Sequence, residues 1–182
     1  QGDKGDQGDK GDQGDKGDKG DQGETGELTQ TFLQLQSEQD QFIATEQNVS
    51  FDVNQSAVGS CGHLINTSEI YLWQPGYYKV FFNLYHNEAC QFSLFKNGFI
   101  IPGTTCGSPT GSSQNSAAFI LKFEVGDMIT PTLVSTTGFA AEITLRNHTS
   151  FAPIITLNGL GGSGSASPQV TAIFSLFLLQ PI

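Results

Sequence analysis

The segment Pro75-Gly76-Tyr77-Tyr78-Lys79-Val80-Phe81-Phe82-Asn83-Leu84-Tyr85 decides the fold of this chain. Proline followed by glycine marks a turn, and the residues after it are mostly aromatic, branched or leucine, the composition of a strand. Even positions Tyr78, Val80, Phe82 and Leu84 make one apolar face, whereas odd positions carry Tyr77, Phe81 and Tyr85 beside Lys79 and Asn83. A strand with one face in water alternates apolar with polar. Aromatics on both faces predict that both are buried, one in a core and one against a second partner.

On either side of this strand, short apolar runs recur at intervals of roughly 8–14 residues, separated by turn residues. This is the pattern of an all-β sandwich or barrel. Upstream, strands are predicted at 31–36, 42–45, 49–53, 63–65 and 70–72. A coiled-coil neck through Leu28, Phe32, Leu35 and Phe42 competes with the first of these, but Gln39 interrupts the heptad and the strand is favoured. Downstream, strands at 90–95 and 99–105 flank Asn97-Gly98, a favoured type I′ hairpin turn. Others follow at 119–125, ahead of the Gly126-Asp127 turn, and at 129–134, 141–146, 154–157 and 170–179. The last strand is again apolar on both faces. One face of a sandwich strand fills the core, so the other needs a partner, which a threefold axis supplies. Tyr77, Phe81, Tyr85, Phe174 and Leu178 are the expected contacts between copies.

The N-terminal arm points independently to three copies. Glycine occupies every third position from Gly2 to Gly26, the period of a collagen triple helix, in which only glycine fits at the crowded axis. The chain therefore divides into a collagen-like stalk, 1–27, and a head, 28–182. At about 3 Å per residue the stalk spans roughly 80 Å. It contains no proline, so charge must stabilise it. Lys-Gly-Asp steps at Lys4-Gly5-Asp6, Lys10-Gly11-Asp12, Lys16-Gly17-Asp18 and Lys19-Gly20-Asp21 set up interchain ion pairs, each worth only about 0–1 kcal/mol. Thr25 is the one threonine available for O-glycosylation in the stalk. The chain opens inside the repeat and reads as part of a longer protein whose N-terminal segment supplies an anchor.

Chemistry-bearing motifs are sparse. The net charge of −10 is shared between stalk and head, and neither half has the basic balance that binding nucleic acid requires. No run of about 18 apolar residues is present, so no membrane insertion is expected. The three histidines, His63, His86 and His148, are scattered. Ser60-Cys61-Gly62-His63 places a thiol near an imidazole, but adjacency in sequence is not the geometry of a Cys-His nucleophile. No catalytic, cofactor-binding or zinc motif occurs, which argues against an enzyme. Asp52, Glu69 and Asp127 lie near turns, where a loop cluster for calcium competes with ordinary solvated carboxylates. Asn-x-Ser/Thr sites occur at Asn48, Asn54, Asn66 and Asn147. The hairpin register places Cys90 opposite Thr105, so a small bulge would bring Cys90 and Cys106 within disulfide range, with Cys61 the free thiol.

Two levels of resemblance follow from particular phrases. Gln74-Pro75-Gly76-Tyr77-Tyr78-Lys79-Val80 and Leu94-Phe95-Lys96-Asn97-Gly98 resemble steps in the heads of the C1q/tumour-necrosis-factor superfamily of jelly rolls. Gln91-Phe92-Ser93-Leu94-Phe95-Lys96-Asn97-Gly98, Pro102-Gly103-Thr104 and Leu145-Arg146-Asn147-His148-Thr149-Ser150 are similar to the heads of the collagen-like glycoproteins of Bacillus spore surfaces, the BclA family. The likeness runs from Thr31 to Leu179. It implies a non-enzymatic homotrimer on the outside of a spore, in the exosporium or at an appendage tip. The head would nucleate the triple helix and present an adhesive tip to host or environmental surfaces, while an N-terminal segment binds an anchoring protein. The stalk departs from that family in being rich in Asp, Lys and Gln where the family has proline and threonine. A ligand- or glycan-recognition head of a C1q-like or viral fibre protein is the competing expectation, with its binding loops at 108–115 or 159–167.

Overall fold

The computed structural model describes residues 1–5, 17, 30–109, 111, 113–128, 140–158 and 169–182. Among them are thirteen strands: β1 (Phe32–Ser37), β2 (Gln41–Ala44), β3 (Val53–Val58), β4 (Cys61–His63), β5 (Ile70–Leu72), β6 (Gly76–His86), β7 (Cys90–Lys96), β8 (Phe99–Ile100), β9 (Cys106–Ser108), β10 (Ser113–Phe123), β11 (Ala141–Asn147), β12 (Ile154–Leu157) and β13 (Ala172–Pro181). A single 3₁₀ turn, Val125–Asp127, follows β10.

The strands form two sheets in which every pairing is antiparallel. A seven-stranded sheet runs β2-β12-β6-β13-β1-β3, with β10 also paired to β6, and a six-stranded sheet runs β4-β5-β11-β7-β8, with β9 also on β7. Alternation along each strand sends one set of side chains between the sheets. Tyr78, Val80, Phe82 and Leu84 of β6, Leu33 and Leu35 of β1 and Phe174 and Leu176 of β13 meet Ile70 and Leu72 of β5, Phe92 and Leu94 of β7 and Ile143 and Leu145 of β11. All of these are fully buried, and each such side chain contributes about 1.5–3 kcal/mol relative to exposure.

The decisive strand therefore lies where its pattern puts it, at the centre of the larger sheet between β13 and β10. The first segment is a strand, not a neck: β1 pairs with β13 and β3 along its length. Several expected strands differ: the one at 63–65 lies at Cys61–His63 and the one at 119–125 at Ser113–Phe123. The segment 49–53 holds only the isolated bridge Phe51–Thr67, and the strand begins at Val53, running through polar residues with no apolar alternation to announce it. The run 99–105 stops after Ile100, because Gly103 adopts φ +79° and the buried Thr104 hydroxyl donates to Ile101 O (2.7 Å) and accepts from Leu94 N (3.1 Å). Pairing to β7 resumes only at Cys106. The expected strand at 129–134 lies outside the described residues.

The predicted hairpin turn is present, with Asn97 at φ 52° and Gly98 at φ 81°, the left-handed pair that type I′ requires. Asn97 also ties this tip to its neighbours: Nδ2 donates to Asp127 O (2.7 Å) and Oδ1 accepts from Glu142 N (2.9 Å). Beside it, Lys96 pairs with Asp127 at 2.6 Å. Asn97→Gly keeps the backbone conformation and deletes both side-chain bonds, so a loss of about 1–3 kcal/mol is expected in urea denaturation. An unchanged midpoint would mean that these bonds contribute nothing net.

Candidate functional site

The same alternation that fills the core leaves a second apolar surface on the outside of the seven-stranded sheet. Tyr77, Phe81 and Tyr85 project there from β6. Register then decides which residues flank them. Phe81 lies between Ala118 of β10 and Ser175 of β13, Lys79 between Ile120 and Phe177, and Asn83 between Ser116 and Ile173. Phe32 of β1 continues the stripe, its ring stacked on Phe177 at 6.4 Å. Ile120 is 68% exposed and Phe177 43%, although both sit in the middle of strands, where a solvated face carries polar residues. Phe81, between the small Ala118 and Ser175, is half-buried. Asn83 Oδ1 is shielded from solvent and has no hydrogen-bond partner among the described residues. The cations of this face are Lys79 and Lys122, the latter 6.0 Å from the Tyr77 ring and paired with Glu124.

The two ends of the sandwich differ. The start of β1, the start of β6 and the end of β13 lie together, so β1 enters the sandwich at this basal end. At the opposite, apical end lie the start of β7, the end of β9 and the loop after β11. There a cavity of about 350 Å³ opens between Cys90, Gln91, Gly107, Ser108, Thr149 and Phe151.

No protein-family model matches the chain, and no curated protein matches it in sequence. Solved structures do match it in shape. The globular domain of a zebrafish complement 1qA protein superposes with a TM-score of 0.52 at 13% identity, covering 84% of this chain and 99% of that one. A tumour-necrosis-factor protein from S. frugiperda, Eiger, superposes with a TM-score of 0.54 at 11% identity, covering 84% and 94%. The head is a C1q/TNF-like jelly roll. Identities this low carry the fold alone.

Within the jelly roll, the expected contact residues divide. Tyr77, Phe81 and Tyr85 lie on the outer face as expected of that strand parity. Phe174 and Leu178 do not. Phe174 is 0% exposed and packs its ring 6.0 Å from Phe51, and Leu178 is packed against the same core. The outward residues of β13 are Ile173, Ser175 and Phe177, because Phe174 pairs with the inward Phe82 and every second residue follows it. Both faces of β13 are apolar, so only the register separates them.

The expected Cys90–Cys106 bond is not formed: all three cysteines are free. The turn at Ile101–Thr104 shifts the ladder, so that Cys90 pairs with Ser108 and Cys106 with Phe92. Cys61 donates towards Phe32 O and Val58 O, each at 3.4 Å, whereas the His63 ring is held by Asn54 Oδ1 (2.7 Å) and Thr67 O (3.0 Å). Thiol and imidazole serve separate structural contacts. Asp52, Glu69 and Asp127 do not converge: Asp52 accepts from Glu38 N, Glu69 from Ser68, and Asp127 from Lys96 and Glu124 N. Of the four Asn-x-Ser/Thr asparagines, Asn147 is fully buried and donates to Ile43 O. In the stalk, Asp6, Lys10, Asp12, Lys16, Asp18, Lys19, Asp21 and Thr25 lie outside the described residues, as does the loop 159–167.

Proposed function

We propose that this chain is the stalk-and-head unit of a homotrimeric surface filament with a structural, non-catalytic role. Three jelly rolls associate through the outer face of the seven-stranded sheet, and the triple helix of 1–27 grows from their basal ends. The observation that carries this reading is the unpartnered stripe of Tyr77, Phe81, Tyr85, Ile120, Ile173 and Phe177. Isologous or cyclic association buries such a surface, and a collagen arm demands the same number, three. The basal position of the β1 entry is what supports a stalk continuing from the trimer axis. The resemblance to the BclA heads extends the proposal to an exosporium or spore appendage, facing outward, with an anchoring protein bound by a preceding segment.

Light scattering on the full chain tests assembly. A mass of three times 19.5 kDa is expected, also for a chain that starts at Leu28. Phe81→Asp places a carboxylate at the centre of each contact, where burying an unpaired charge is costly, and is expected to yield the 19.5 kDa monomer. A trimer that tolerates Phe81→Asp would reject this face. A monomeric Leu28 chain would mean that the stalk, not the head, drives assembly.

A second reading, a recognition head, draws on the apical cavity. It sits at the end farthest from the stalk, where a projected domain meets its surroundings.

A further inference from the structure

We propose that the apical cavity is a binding site for a neutral sugar, taking the terminal hexopyranose of a glycan. The proposal rests on the recognition reading.

Three features point to this ligand class. First, no charged side chain lines the cavity, so an anionic or cationic ligand would lose hydration there without a compensating partner. Second, its polar groups are arranged to meet hydroxyls. Thr149 Oγ1 lies within hydrogen-bond distance of both Gln91 Oε1 (2.7 Å) and His148 O (2.6 Å), and the Gln91 amide brings both a donor and an acceptor to the cavity. Gly107 lies beneath this amide: a Cβ there would stand 3.1 Å from Gln91 Cγ and from Cys90 O, so the absence of a side chain keeps the space open. Third, Phe151 is 102% exposed at the rim. An aromatic ring that buries nothing in its own chain is a platform for an apolar ligand face. A ligand that combines a ring of hydroxyls with a flat C–H face, and carries no charge, is a pyranose. The cavity is at the lower end of small-molecule sites in size, suiting a terminal residue more than a chain. Thr149 adds a further sign, since it holds φ 63°, and strained non-glycine residues of this kind gather at ligand sites.

The test is binding of the full chain to immobilised polyvalent galactose, mannose and N-acetylglucosamine, with sialylated and sulfated probes alongside, for the parent and for Phe151→Ala and Gln91→Glu. Both positions are exposed, so both variants are expected to fold with unchanged thermal midpoints. Saturable binding to at least one neutral probe is expected, weakened about tenfold by Phe151→Ala through loss of stacking and similarly by Gln91→Glu, which replaces the donor by an acceptor. Absence of binding to all neutral probes, preference for the charged probes, or equal binding by Phe151→Ala would each overturn the proposal. The mass of each sample separates this outcome from the assembly reading: a trimer without sugar binding refutes only the site, and a monomer that binds refutes only the trimer.

Discussion

Raising the pH from 9 to 11 is expected to destabilise the head by about 1–2 kcal/mol through Cys61 alone. Burial pushes this thiol up from 9.0 to about 11, against a smaller opposing effect of the Val58 hydrogen bond. The reason is burial: Sγ is enclosed beside Phe32 O and Val58 O, each at 3.4 Å, where a thiolate would lose its hydration. The folded state thus holds its proton more tightly than the unfolded chain. Between pH 9 and 11 the unfolded chain has lost the proton and the folded one has kept it, so stability falls as pH rises and the contribution is gone above 11. Tyr78 follows one unit later, pushed from 10.0 to about 12 by burial and then by the charge of Cys61, with its hydroxyl donating to Gln74 O at 2.7 Å. Urea midpoints at pH 8, 9, 10 and 11 would show the decline, and Cys61→Ala should make it shallower between 9 and 11. The remaining slope belongs to Cys90 and Cys106 and, above pH 10, to Tyr71 and Tyr78, all of which burial also raises. Parallel slopes for parent and variant would refute the assignment.

Phe174→Ala is expected to cost about 3–5 kcal/mol of stability while leaving the assembly state unchanged. Phe174 is enclosed between the sheets against Phe51, and truncating a buried phenylalanine loses both transfer energy and the contacts around the resulting cavity. The neighbouring outward residue offers the control. Phe177→Ala removes a ring stacked only on Phe32 at the surface, so its effect should appear in the mass of the complex and in the dependence of stability on protein concentration. A Phe174→Ala protein with normal stability but reduced mass would return this residue to the interface and reverse the strand's two faces.

The fold class was legible because its signals are local. Alternation in Tyr77–Tyr85, the Asn97-Gly98 turn and the punctuation between apolar runs depend only on the preferences of adjacent residues. The polar strand Val53–Val58 escaped this reading, since its place at the edge of the larger sheet comes from pairing with β1 and not from its own composition. The outer apolar face of the larger sheet was legible in part. On β6, lysine and asparagine mark the outer parity and name Tyr77, Phe81 and Tyr85. On β13, both parities are apolar.

What the sequence by itself determined is therefore the all-β fold class, its central two-faced strand, its principal hairpin and the three-residue glycine period of residues 2–26. Only the tertiary structure decided which face of β13 is buried, that Cys90 meets Ser108 and not Cys106, and that Gln91, Gly107, Thr149 and Phe151 share one cavity. The physical reason is common to all three. Side-chain parity on a strand reverses with a one-residue slip in register, and register is set by long-range partners and by irregular turns such as Ile101–Thr104.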